Sequence, residues 1–299
     1  MWNYNNASNY DKRKIGFEVN FDLDKVGVQS VVGSVTSSSL TGYTVYVRPF
    51  RFGNPNIPIL NRFRIHGTYV RDGGVKTGVL LDSTATLQAY GFGADLRWLD
   101  LPVLKSALYA DMGKIKDYGS GSAVGINAVI PNFIGVFALG ARFEKRFLGD
   151  EFIPSLFGPL YELDRNLGLF NRIRAAQKTE GYFGELSGHI LHRIRLTGNF
   201  QKLNGVENSG ILHLEANAPD LVPQFELRAY YDKAGIQSFE DARTLDNRSV
   251  LTGEVGYQIN RYMLLTVIYR WYWVENPDNP GVYQPVERIE PRVSFRYRF

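Results

Sequence analysis

The sequence contains no cysteine, so neither a disulfide nor a thiolate metal site is available to it. Histidine is scarce: the four are His66, His189, His192 and His213. His189 and His192 lack the i,i+4 spacing of a helical metal pair and have no acidic motif beside them. There is no G-x-S-x-G, P-loop or dinucleotide fingerprint. A Ser–His or Asp–His pair that meets only in space is left open. The expectation is no catalytic residue, no metal ligand and no cofactor, with the histidines hydrogen-bonded in a wall or at a rim. No run of about 18 apolar residues occurs, which excludes a membrane-spanning helix. Charge of one sign is also lacking: 34 Lys and Arg face 30 Asp and Glu, a net +4 that calls for no nucleic-acid partner. The opening Met1-Trp2-Asn3-Tyr4 has neither the basic start nor the apolar stretch of a secretion signal. An exported protein would therefore be represented here by a mature or trimmed chain.

What the sequence has is aromatic residues, glycine and alternation. It holds 19 Phe, 18 Tyr and 30 Gly. Successive side chains of a strand point to opposite faces, so a period of two in hydrophobicity marks a strand with two unlike faces. Fifteen segments carry it: 14–22, 26–35, 42–50, 62–71, 87–99, 104–113, 124–130, 134–147, 182–189, 193–202, 210–216, 225–232, 250–259, 263–273 and 289–299. Asp72-Gly73-Gly74 reads as the start of a polar loop, and Pro131-Asn132 and Pro219-Asp220 read as turns. Gly91-Phe92-Gly93 lies inside a strand pattern, where its glycines make room in a curved wall and are not a phosphate loop.

The last nine residues, Pro291 to Phe299, show the pattern most plainly. Val293, Phe295, Tyr297 and Phe299 share one face; Arg292, Ser294, Arg296 and Arg298 share the other. This ending resembles the terminal strand of bacterial outer-membrane β-barrels, which close on Phe with aromatics two and four residues earlier. The resemblance is to that porin-like superfamily and to no characterised family within it. It implies a transmembrane antiparallel up-and-down barrel of about 16 strands (14–16) in the outer membrane, with Phe299 at the periplasmic rim. Connections near 24, 55, 102, 131, 190, 220 and 260 are mostly short, while those near 40, 78, 118, 163, 206, 240 and 281 are mostly longer, as periplasmic turns and outer loops are. Fifteen strands is odd where bacterial barrels are even, so a further strand before residue 14 is expected to be partial. Residues 1–299 then form one barrel domain, with a truncated first strand or as the C-terminal part of a longer protein.

A lipid-facing outer surface and a water-facing lumen follow from this reading. The lumen set includes Arg48, Arg64, Asp95, Arg97, Asp111, Arg142, Glu144, Arg195, Glu226, Arg228, Glu254, Arg270, Arg292 and Arg296. Trp98, Trp271 and Trp273 fall near strand ends, where aromatic girdles meet the headgroups. Two arrangements of the lumen charge compete. Segregated signs would set a transverse field; paired signs would form a cross-strand network, with Glu18, Glu254 and Glu290 neutralising the Arg270 to Arg298 stripe. The segment 149–178 does not alternate and is too apolar for a solvated loop. It reads as holding a short helix that either folds into the mouth and constricts it or packs on the rim. The expected partners are outer-membrane lipid, lipopolysaccharide and the barrel-assembly machinery, which would engage the strand ending Phe295, Tyr297, Phe299; a homo-oligomer or larger assembly is compatible. The function expected is a passive channel for small polar or ionic solutes, and the alternative is a non-conducting structural or anchoring barrel.

Overall fold

The computed structural model describes residues 17–33, 40–53, 57–77, 83–133, 135–157, 161–165, 168–191, 193–276 and 278–295. Fifteen strands among them form one antiparallel meander in which each strand hydrogen-bonds its sequence neighbours. They are β1 (Phe17–Leu23), β2 (Val26–Val32), β3 (Leu40–Val47), β4 (Phe63–Lys76), β5 (Thr84–Asp100), β6 (Lys105–Ile115), β7 (Ser120–Phe133), β8 (Phe137–Leu148), β9 (Thr179–Ile190), β10 (Ile194–Leu203), β11 (Gly210–Val222), β12 (Phe225–Ile236), β13 (Ser249–Asn260), β14 (Met263–Glu275) and β15 (Tyr283–Phe295). Among the described residues three short helices lie in connections: α1 (Tyr161–Asp164), α2 (Leu169–Ala175) and α3 (Phe239–Arg243). No described helix is long and apolar enough to cross a membrane, which bears on helices only.

All fifteen segments that alternate in the sequence appear as strands, in order, among the described residues, but several ends move. β4 continues through Asp72-Gly73-Gly74 to Lys76, with a register shift between Asp72 and Val75 that absorbs the glycines as a bulge. β7 starts at Ser120 and runs through Pro131-Asn132, and β11 runs through Pro219-Asp220 to Val222. In each case a turn-forming pair sits inside a strand, because pairing with a neighbour overrides local preference. Two connections also depart from the short–long rule: 48–62 carries two 3-10 turns, Pro49–Arg51 and Leu60–Arg62, while β6 and β7 are joined by only 116–119. The predicted strand before residue 14 lies outside the described residues.

The two faces of the sheet are inverted relative to a soluble protein. In β13 and β14, Leu251, Val255, Tyr257 and Leu265 are exposed, while Thr252, Glu254, Thr266 and Arg270 are buried. The same holds for exposed Phe21, Val45, Phe92, Met112, Phe143, Leu186 and Val293 along the other strands. Each such side chain left in water would forgo roughly 1.5–3 kcal/mol of burial. Over this many positions the loss exceeds the ~5–15 kcal/mol that holds a typical domain together, so this face is built for a non-aqueous surrounding.

The chain divides into two compact units. The first contains β1–β5, β6 after its first residue, the start of β7, the end of β8, the connection 149–178 and the first residues of β9; the second contains the rest of β7, β8 and β9 and all of β10–β15. The apolar core of the first is where 149–178 seats itself: Tyr161, Leu169, Phe170 and Ile173 pack on Leu40, Val70, Val75, Leu87 and Ile115. α2 presents Leu169, Phe170 and Ile173 to this bed and its Asn171, Arg172 and Arg174 to solvent, the i, i+1, i+4 stripe of an amphipathic helix.

Candidate functional site

The charged face carries the chemistry, and cross-strand register decides which charges meet. In the first unit, Gly27, Tyr46, His66 and Gly93 form one row across β2 to β5. Tyr46 lies flat over Gly27, its hydroxyl on Asp22, with the Arg48 and Arg64 guanidinium groups 4.9 and 5.4 Å from its ring centre. Arg64 Nε donates to Asp95 Oδ2 at 2.6 Å on the neighbouring strand. His66 Nε2 reaches across β5 to Asp111 Oδ1 at 3.0 Å, passing over Gly93, which has no side chain to block it. Arg97 lies 3.9 Å from Asp100. Farther along, Tyr109 donates to Glu144 at 2.9 Å, and Glu144 also accepts from Arg146 at 2.8 Å.

The connection 149–178 is tied to this face by a buried carboxylate. Asp72 is fully buried and accepts from the Tyr161 hydroxyl (2.7 Å), Arg165 Nη2 (3.0 Å) and the Gly74 backbone N–H (2.8 Å). Lys76 N–H in turn donates to the Arg165 carbonyl at 3.1 Å. The bulge in β4 places both partners, since it turns Gly74 N–H onto the carboxylate and leaves Lys76 N–H aimed at the loop. Asp72 has the same parity as Arg64, His66, Thr68 and Val70. Following the alternation through the glycines was the signal that could have found it.

In the second unit three rows interleave across β10 to β15. One holds Arg195, Asn217, Arg228, Glu254, Ile268 and Glu290; the next holds Thr197, Glu215, Tyr230, Thr252, Arg270 and Arg288. The third places Asn199, His213 and Asp232 side by side. Arg228 lies between Glu215 (3.6 Å) and Glu254 (3.8 Å), and Tyr230 donates to Glu254 at 3.3 Å. His213 sits between Asp232 (2.7 Å) and Glu215 (3.7 Å). Arg270 and Arg288 stand directly opposite each other and share Glu290, at 3.5 and 2.7 Å. The repulsion of two facing guanidinium groups is offset by that shared carboxylate.

Within each unit the signs are therefore paired across strands. Of the other residues singled out from sequence, Arg142 lies over the Phe183 ring at 5.5 Å, and Arg195 is exposed opposite Asn217. Glu226 pairs in register with Gly256, and Arg292 with Thr266. Trp98 is exposed on the apolar face of β5. Trp271, stacked 6.2 Å from Tyr269, and Trp273 lie near the end of β14. Phe295 ends β15 opposite Met263, while Arg296, Tyr297, Phe299 and the side chain of Glu18 lie outside the described residues. Sequence reasoning missed Asp72, Tyr161 and Arg165, the buried Lys233–Asp246 pair at 2.6 Å, and Arg288. Each depends on a strand running past a predicted end or on a loop folding back.

An antiparallel meander whose exposed face is apolar and whose buried face is a polar ladder defines the outer-membrane β-barrel class. No protein-family model matches the sequence, and no curated protein resembles it. The solved structures similar to it are barrels at low identity. A variant of OccD1 (OprD) is 13% identical over 90% of this chain and 78% of that one, with a TM-score of 0.43. CdiB from Acinetobacter baumannii is 9% identical over 93% of this chain, with a TM-score of 0.43. A mutant of the ferric enterobactin receptor PfeA from Pseudomonas aeruginosa is 9% identical over 90% of this chain, with a TM-score of 0.39. The chain spans 59% of the CdiB length and 45% of the PfeA length.

Proposed function

We propose that this chain is a passive outer-membrane channel for small polar or ionic solutes, narrowed by the connection 149–178. The charged face is the lumen wall in this reading, and Arg48, Arg64, Asp95, Arg97, Asp111, Arg142, Glu144, Arg195, Glu226, Arg228, Glu254, Arg270, Arg292 and Arg296 line the solute path. The observation that carries it is the seat of 149–178. The loop folds onto the charged face of β3 to β6 and is bonded there through Asp72 instead of standing away from the sheet. A barrel with about this number of strands leaves an aqueous channel unless something occupies it, so a wall-bound loop sets the bore. Lipid and lipopolysaccharide cover the apolar face, Trp98, Trp271 and Trp273 sit at the headgroup level, and the assembly machinery engages the terminal strand.

A second reading, a non-conducting structural barrel, draws on the mutual neutralisation of the ladder: pairs such as Arg228–Glu254 and Arg270–Glu290 can fill a wall as well as line a pore. Planar-bilayer recording of refolded protein separates the two. Small, stable conductance steps are expected of the channel. A barrel verified as folded by heat-modifiable gel migration that passes no current sinks the channel reading and leaves the structural one.

A further inference from the structure

We infer that the charged face carries a small-ligand subsite over Gly42, shaped for a compact uncharged amphiphile: an aromatic or branched aliphatic group bearing one hydroxyl. It deepens the channel reading, on which its place in the solute path rests. Three adjacent registers build it. Gln29, Thr44 and Thr68 form a polar row across β2, β3 and β4; Val31, Gly42 and Val70 form the next; Leu40 and Asp72 follow. Phe157, from the connection 149–178, closes one side, and the recess so formed has a volume of about 440 Å³ including the part open to solvent.

The glycine is what distinguishes it. Four other strand glycines in this unit lie under a protein side chain: Gly27 under Tyr46, Gly93 under His66 and Asp111, and Gly113 and Gly121 under Phe152. At those positions the missing side chain is explained by what lies above it. Over Gly42 a Cβ would meet only Val70 Cγ2 at 3.8 Å and the Tyr69 carbonyl at 4.0 Å, so among the described residues nothing fills the space. A valine on either side and an aromatic ring across the gap leave an apolar slot in a wall that is elsewhere charged.

The slot also has a polar end. Thr44 Oγ1 and Thr68 Oγ1 lie 3.1 Å apart, and their hydroxyls together offer one donor and spare acceptor lone pairs to a ligand hydroxyl. Tyr43 turns its side chain to the apolar face and no other lining residue is ionisable; Asp72, next in register, is fully buried and bonded to Tyr161 and Arg165. A charged ligand group would lose its hydration there without compensation, which selects neutral molecules. Apolar recesses with a few convergent polar groups are the usual form of small-molecule sites.

The test uses benzyl alcohol as ligand and its trifluoromethyl-diazirine derivative as photolabel, on the refolded full chain in bilayers. Adducts on the peptides holding Val31, Val70 and Phe157 that are competed by excess benzyl alcohol are expected. Gly42→Leu, which fills the slot, should reduce them to the level of the lipid-facing background. Gly42→Ala, for which there is room, keeps the barrel folded and should raise the competing concentration several-fold. Labelling confined to lipid-facing residues, or unchanged in both variants, overturns the subsite. Conductance is recorded on the same samples: a conducting barrel without competed labelling defeats the subsite alone, whereas competed labelling in a non-conducting barrel defeats the channel reading and the slot's place in a solute path.

Discussion

Gly93 shows how a single missing side chain organises this wall. His66 on β4 and Asp111 on β6 meet above it, skipping the strand between them. A Cβ at this position would overlap Asp111 Oδ1 and lie 2.6 Å from His66 Nε2. Gly93→Ala therefore forces the pair apart, at a cost of about 1–3 kcal/mol as an overpacked site. The midpoint temperature of the heat-modifiable gel shift should fall, and His66→Ala in the same chain should recover part of the loss; equal shifts in single and double variants would disprove the coupling. Asp72 is the opposite case, a charge whose removal strands its partner. Asp72→Ala leaves Arg165 buried without its carboxylate, which costs roughly 3–5 kcal/mol. Residues 149–178 should then become sensitive to protease in a barrel that remains folded. Continued protection would show that the apolar seat alone holds the loop.

Among the elements, the two long connections are anchored by different means. The 149–178 segment relies on burial of α2 and on Asp72. The 237–248 segment relies on carboxylates at its ends. Ser238 and Asp241 form a capping box on α3, with Asp241 accepting the Ser238 and Gln237 backbone N–H groups at 2.7 and 2.9 Å. Those bonds hold the Asp241 carboxyl below the ordinary aspartate range. At Asp246 burial pushes the pKa up, but the Lys233 ammonium and the Arg248 backbone N–H outweigh it and the net shift is downward. Both groups have depressed values in the folded loop. Their contribution is therefore complete above the ordinary aspartate pKa and is lost as pH falls from about 4 through the folded values. Amide exchange in 238–249 should accelerate over that interval, and Asp246→Asn should produce faster exchange already at pH 7. A pH-independent exchange rate would show that neither carboxylate anchors the loop.

At the scale of the whole molecule the balance of signs governs what a channel would select. The net charge is only +4, and on the charged face Arg228, Arg270 and Arg288 are matched by Glu215, Glu254 and Glu290. A wall neutralised in this way gives weak selectivity between cations and anions. Glu254→Gln with Glu290→Gln removes two negative charges while keeping side-chain volume. The reversal potential under a salt gradient should then move toward anion preference. No movement would place these residues away from the conducting path.

The alternation of apolar and polar residues determined the fifteen strands, their order, and which face of each is apolar. That information is local: a period of two needs no partner to be read. Phe92 and Arg64 declare their faces from their neighbours in the chain. Strand ends and contacts were decided only by tertiary structure. Pairing with β5 carries β4 past Asp72-Gly73-Gly74, and the resulting bulge makes Asp72 the anchor of a loop whose Tyr161 and Arg165 are far away in sequence. Register likewise sets Arg288 against Arg270 and gives Glu290 to both. A side chain's face follows from its own strand, whereas its partner follows from how two strands slide past each other and where a long loop returns, and those are settled by the packed chain as a whole.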